Sequence, residues 1–181
     1  MKFAFTYLVK QDETTWNEFA DSLYLLNKNI LSKLKADKKV IIFCEGMPNK
    51  KANLIIEKLR SKNTVVNQKI ISLAKYVKRD QNNNYLEQFP HASDCTLNTS
   101  LGYRDMCKFF CKDIFLDKVY DDIDYFIRVD TDSFFIDVRK SFLDSLETIK
   151  DDYAYLQGTV HLEDKAVTLG FGKCLYDFFK K

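Results

Sequence analysis

The sequence predicts an α/β domain whose mostly parallel central sheet is flanked by helices, and three observations carry that reading. Apolar runs of strand length, FAFTYLV, VIIFC and YFIRV, read as buried strands. Between them lie stretches whose apolar residues recur at three and four, and strands alternating with helices make a parallel sheet. At 181 residues, 46% hydrophobic and 30% charged, the chain is long enough to bury a full core and fits one domain, 1–181.

The elements follow in order. Residues 3–9 form the first strand, and a helix is expected from about Glu13 to Ala36, where Trp16, Phe19, Ala20, Leu23, Leu26, Ile30, Leu31 and Leu34 make one apolar face. Residues 40–44 form a second strand, closed by Glu45-Gly46-Met47-Pro48, and a shorter helix over 51–62 carries Leu54, Ile55, Ile56 and Leu59. A third strand is expected over 65–73. From Lys75 to Asn98 the periodicity dissolves into a polar stretch too long to be idle, expected to act as a flap over a ligand. A helix with possible caps Asn98, Thr99 and Ser100 runs to about Asp117, with Met106, Phe109, Phe110 and Phe115 inward. Residues 125–129 are a strand, 134–136 a short second one, 138–149 a helix, 153–160 a strand and 168–179 a last helix.

Several functions are excluded. A formal charge of +2 with lysines spread along the sequence argues against a nucleic-acid partner. No run approaches the length of a membrane span, and MKFAFTYLVKQDE lacks a signal-peptide cleavage site, so a cytoplasmic location is expected. The five cysteines include no Cys-x-x-Cys pair, and the two histidines lie far from Cys107 and Cys111; free thiols are expected rather than zinc.

The stretch that points to chemistry is IDYFIRVDTDSFF, residues 123–135. Two carboxylates one residue apart repel unless a cation or donors sit between them. Asp-Thr-Asp-Ser is also ordinary turn chemistry. At the end of a central strand, however, Asp130 and Asp132 can hold a manganese or magnesium ion that in turn holds a diphosphate. In open α/β sheets ligands bind beyond the carboxyl ends of the strands, where Thr6 to Lys10, Glu45 and Asp130 to Asp132 all fall. Arg128 either neutralises neighbouring aspartates or meets a phosphate.

Asp-Thr-Asp-Ser before two apolar residues resembles the metal hairpin of family B DNA polymerases, and NTSLGY is similar to their nucleotide-helix motif. The lysine of that motif is Asp94 here, and a two-metal polymerase needs a much longer chain with a further carboxylate. A longer match covers SLGYRDMCKFFCKDIFLDKVYDDIDYFIRVDTDSFFIDV, residues 100–138, with Tyr103, Met106, Cys107, Phe109, Tyr125, Arg128, Val129 and Asp132 in matching places. This stretch resembles the core of glycosyltransferase family 15, the fungal-type α-1,2-mannosyltransferases; FTYLVK and IIFCEGMP look like two further family segments. Asp130 stands where the family has glutamate, Thr131 where it has proline, and Lys10 and Lys108 where it has arginines; family members also continue well past residue 181.

The resemblance implies a GT-A-like, Rossmann-related fold and transfer of a sugar from a nucleotide-sugar, GDP-mannose before a UDP-sugar, to a glycan or glycoprotein acceptor with retention. It implies Asp130 and Asp132 for the Mn2+ or Mg2+ ion, and Thr6, Tyr7, Lys10, Glu45, Arg128 and Asp130 for the donor. Tyr103 and Glu163 are the implied catalytic residues, although Tyr103 at a helix start also suits a core and Glu163, beside His161 and Asp164, also suits a turn; His91 is read as loop. Either another domain completes the acceptor site, or the chain is a minimal transferase or a non-catalytic binding module.

Overall fold

The computed structural model describes residues 1–62, 64–72 and 101–149, with 101–105 described as backbone only. Four parallel strands, β1 (Lys2–Val9), β2 (Asp37–Cys44), β3 (Val65–Ile70) and β4 (Tyr125–Arg128), form one sheet in the order β3-β2-β1-β4. β1 lies between β2 and β4, and its side chains alternate between two apolar layers. Phe3, Phe5, Tyr7 and Val9 pack with the helices α1 (Glu13–Leu26), α2 (Lys50–Arg60) and α4 (Lys140–Thr148). Ala4 and Leu8 face the other way, toward Phe109, Phe110 and Ile114 on and after α3 (Leu101–Cys111). Phe43 and Phe109 meet edge to face there, at 5.0 Å between ring centres. Burial on both sides explains why β1 is so apolar.

α1 starts where Asp12 accepts bonds from the Thr15 amide and hydroxyl, both at 2.8 Å. Trp16, Phe19, Ala20, Leu23 and Leu26 then turn inward at helical spacing. The helix expected through Ala36 instead widens into a π turn over Asn27–Leu31. At about 100° per residue, three successive side chains fan over more than half of a regular helix. The wider turn fans them less, and Asn29, Ile30 and Leu31 are all buried on it.

Other boundaries differ for equally local reasons. α2 is shorter than expected and leaves Leu54 outside, since Ala52, Ile56 and Leu59 already cover the sheet. β3 ends at Ile70 rather than residue 73. α3 gives way after Cys111 to a 3-10 turn, Asp113–Leu116, which turns Ile114 inward and leaves Phe115 62% exposed rather than buried as predicted. Residues 134–136 form no strand: Phe135 packs on the core while Phe134 and Ile136 are exposed. Cys44 is buried, and its thiol is pushed upward by desolvation; Cys107 and Cys111 are free and more open. Among the described residues no helix is long and apolar enough to cross a membrane. The loop 75–98 with His91, the strand 153–160 and the helix 168–179 lie outside the described residues.

The cap on α1 gives a stability prediction. Hydrogen bonds from Thr15 hold the Asp12 carboxyl below the usual carboxylate range, so its contribution is present above the unfolded value and fades as pH falls through the folded one. Asp12→Ala should cost about 1 kcal/mol at neutral pH, read by urea unfolding, and the gap from the native chain should narrow in acid.

Candidate functional site

The chain runs β1 to β2 to β3 in one direction across the sheet and then returns to place β4 on the other side of β1. The crevice between the carboxyl ends of β1 and β4 is therefore a topological switch point, the usual ligand site of such sheets. Pairing with β4 stops at Thr6↔Arg128, whereas pairing with β2 continues to Val9↔Cys44. Three residues of strand amount to about 10 Å. β1 and β2 thus make a tall wall, and the chain leaving β4 emerges beside it.

That emerging chain carries the aspartate pair. Val129 is buried and its amide donates to the Thr6 carbonyl at 2.9 Å, completing the strand contact. A turn follows, closed by the Ser133 amide on the Asp130 carbonyl at 3.0 Å, and both Asp130 and Asp132 point to solvent-exposed positions. Arg128 Nε donates to Asp130 Oδ1 at 2.8 Å while its guanidinium lies 4.2 Å above the Phe110 ring centre. The ion pair is about half exposed and contributes about 1 kcal/mol at most, so its main effect is to orient both side chains. Asp132 has no ion pair or hydrogen bond among the described residues.

Thr6, Ser22 and Asn29 are the buried polar side chains among the described residues, and two of them, Ser22 and Asn29, hold the turn from beneath. Ser22 on α1 gives its single proton to the Ser133 carbonyl, so the Tyr7 hydroxyl, 3.0 Å away, must donate to Ser22. Asn29, in the π turn, donates to the carbonyls of Phe135 at 2.5 Å and Ile136 at 3.3 Å. Thr6 Oγ1 and the Tyr120 hydroxyl are 2.8 Å apart on the opposite face. Burial pushes both phenols, Tyr7 and Tyr120, far above the ordinary tyrosine range, so they stay protonated.

Of the residues expected to border a donor, Thr6 and Tyr7 are fully buried in β1, with their hydroxyls engaged by Tyr120 and Ser22. Lys10 does stand at the rim, largely exposed and 3.8 Å from Asp12. Glu45 follows β2, its amide donating to the Val9 carbonyl at 3.1 Å. The neighbouring Gln11 side chain lies directly against Gly46, where any Cβ would displace it. Tyr103 falls in the first turn of α3, but its side chain lies outside the described residues, as do Glu163, His161 and Asp164. Ser22 and Asn29 escaped the sequence reading, although the signal was there: each is a polar residue set three positions after an apolar one on the buried stripe, after Phe19 and Leu26.

Among the described residues no three potential metal-ligating side chains cluster, so the aspartates stand as a pair. No protein-family model matches the chain, and no curated protein does. Solved structures do. The crystal structure of core-mannan synthase A (CmsA/Ktr4) from Aspergillus fumigatus, in its Mn/GDP form, superposes with a TM-score of 0.54 at 12% identity, over 80% of this chain and 39% of that one. The fold is theirs as well as this chain's: a GT-A-like, Rossmann-related sheet. The mannosyltransferase Ktr4p from S. cerevisiae, in complex with GDP, matches with a TM-score of 0.50 at 13% identity, over 71% of this chain and 33% of that one. The chain thus spans between a third and two fifths of the length of these mannosyltransferases.

The buried contacts predict a mutational hierarchy. Ser22→Ala strands both the Tyr7 hydroxyl and the Ser133 carbonyl, each a loss of about 1–3 kcal/mol, whereas Tyr7→Phe leaves the Ser22 to Ser133 bond intact and should cost less. Urea unfolding should rank the two in that order, and amide exchange should quicken over 130–136 in Ser22→Ala alone. Equal losses would move the stabilisation from the held turn to the tyrosine.

Proposed function

We propose that this chain is the donor-binding part of a metal-dependent glycosyltransferase, moving a sugar from a nucleotide-sugar to a glycan or glycoprotein acceptor. The observation that carries the reading is the exposed Asp130–Asp132 pair, set at the switch point on a turn fixed from beneath. Manganese and magnesium prefer oxygen ligands and commonly bind through one or two carboxylates, with waters and phosphates filling the other positions. Asp132, without a partner among the described residues, and Asp130, which shares its carboxylate with Arg128, suit an ion that arrives with a diphosphate better than a caged structural ion. When bound, such an ion offsets the charge gathering on the departing nucleotide phosphate.

The chain's own residues then divide the remaining work. Arg128, steadied over Phe110, uses Nε on Asp130 and among the described residues keeps further N–H groups for a phosphate oxygen. Lys10 and Glu45, at the ends of β1 and β2, border the nucleotide. Through the family resemblance, Tyr103 and Glu163 serve the sugar and its transfer, GDP-mannose comes before a UDP-sugar as donor, and the anomeric configuration is retained in an α-1,2 linkage. The GDP present in both fungal neighbours and the manganese in one of them support that choice of nucleotide and ion. The exposed pair at the switch point would equally serve a second reading, a nucleotide-sugar-binding module without transfer. Slow hydrolysis of donor in manganese without acceptor separates the two, since only an enzyme shows it.

Two variants test the assignments. Calorimetry with GDP should show binding that needs manganese or magnesium, and Asp132→Ala should abolish it without changing the melting temperature, because the side chain is exposed and unpaired among the described residues. Metal-dependent binding by the variant equal to that of the native chain would remove the pair from the site. Tyr103→Phe should bind GDP and manganese normally but turn over donor about tenfold more slowly, a barrier change of roughly 1.4 kcal/mol. A core role would instead lower the melting temperature and leave activity per folded molecule unchanged.

A further inference from the structure

The amino ends of β1, β2 and β3, at the opposite end of the sheet from the aspartate pair, surround a hollow of about 540 Å³. Five lysines line it: Lys2, Lys35, Lys38, Lys39 and Lys62. Asp37 and Asp122 stand against them, which leaves a formal +3 in one hollow on a chain whose whole formal charge is +2. The fold thus brings Lys2 and Lys62 beside the KADKK stretch at 35–39.

Part of this charge is already matched. Lys39, with a side chain only 16% exposed, places Nζ 2.5 Å from Asp122, and Lys2 reaches the same carboxylate at 3.4 Å. The Lys39 ammonium holds the Asp122 carboxyl below its usual range, so this pairing persists through mild acid. The Lys38 ammonium donates to the Leu34 carbonyl, a bond that leaves its charge unneutralised. Lys35 and Lys62 are exposed and have no ion pair among the described residues. Like charges collected around a concavity repel, and an anion placed among them relieves that repulsion while accepting charge-assisted hydrogen bonds. Lysine binds phosphate as a point charge, and the volume matches that of sites for small ligands.

We propose that this hollow is a second anion site, one that takes a compact group bearing several phosphates. A soluble polyphosphate and a phosphorylated inositol headgroup share that chemistry. The site is independent of the donor reading, because the eight residues of β1, roughly 25 Å of strand, separate the two ends.

The test is calorimetry of the full chain with tripolyphosphate, without divalent metal. The native chain should bind one equivalent, and Lys35→Gln/Lys62→Gln should bind at least about tenfold more weakly. Asp132→Asn should bind like the native chain, and affinity should fall between about 50 mM and 500 mM salt. Both lysines are exposed and Lys35 is held through its backbone amide on Glu147, so the double variant should melt like the native chain. No binding by the native chain, or equal binding by the double variant, overturns the proposal. Flotation with phosphatidylcholine vesicles, with and without phosphatidylinositol bisphosphate, then assigns the source. Flotation that requires the phosphoinositide and is lost in the double variant supports a headgroup; tripolyphosphate binding without flotation supports a soluble polyphosphate.

Discussion

Burying β1 on both faces leaves its backbone nowhere to go but to neighbouring strands, and that constraint orders the rest of the molecule. Parallel partners on both sides satisfy it, and parallel pairs need helical crossovers rather than hairpins. The two crossovers through α1 and α2 cover one face, so the other must be covered by α3 and the 3-10 turn behind it. Opposite coverage on either side of β1 is what opens a crevice at its carboxyl end. The candidate site is thus a by-product of protecting one apolar strand.

An apolar core cannot by itself fix the turn that follows β4. The carbonyls of Ser133, Phe135 and Ile136 have no strand partner among the described residues, and each would lose free energy if buried without a donor. Ser22 and Asn29 supply those donors from the helical side, and Arg128 steadies Asp130 from the side of α3. Two layers of the structure therefore converge on three backbone carbonyls and one carboxylate. The carboxylates above are exposed, but the atoms that carry them have few places to move.

Much of this was legible in the sequence. Strands at the first, second, third and fourth positions came from runs such as FAFTYLV and VIIFC, because burial on both faces leaves a continuous apolar signature. The aspartate pair at a strand end was equally plain. What could not be read was where periodicity breaks: the π turn after Leu26 and the 3-10 turn after Cys111 arise from tertiary fit, not local preference. That is why Phe115 was placed inside. Equally hidden was that β1 runs three residues farther beside β2 than beside β4, a register that no single strand reveals. Polar side chains on an apolar stripe announced the supports, yet only the fold shows which carbonyls they meet.

The π turn also sets how this chain tolerates changes in length. Such a turn amounts to one residue inserted into an otherwise regular helix. Losing one residue from 27–31 would close the bulge and leave the flanking segments in register, but it would remove the wide turn that sets Asn29 inward beside Ile30 and Leu31. Asn29 could then no longer face the carbonyls beyond Ser133 while Leu34 still reached the core. This single helical turn therefore has a fixed count. Insertions and deletions drifting through relatives of this chain should therefore stop at its edges.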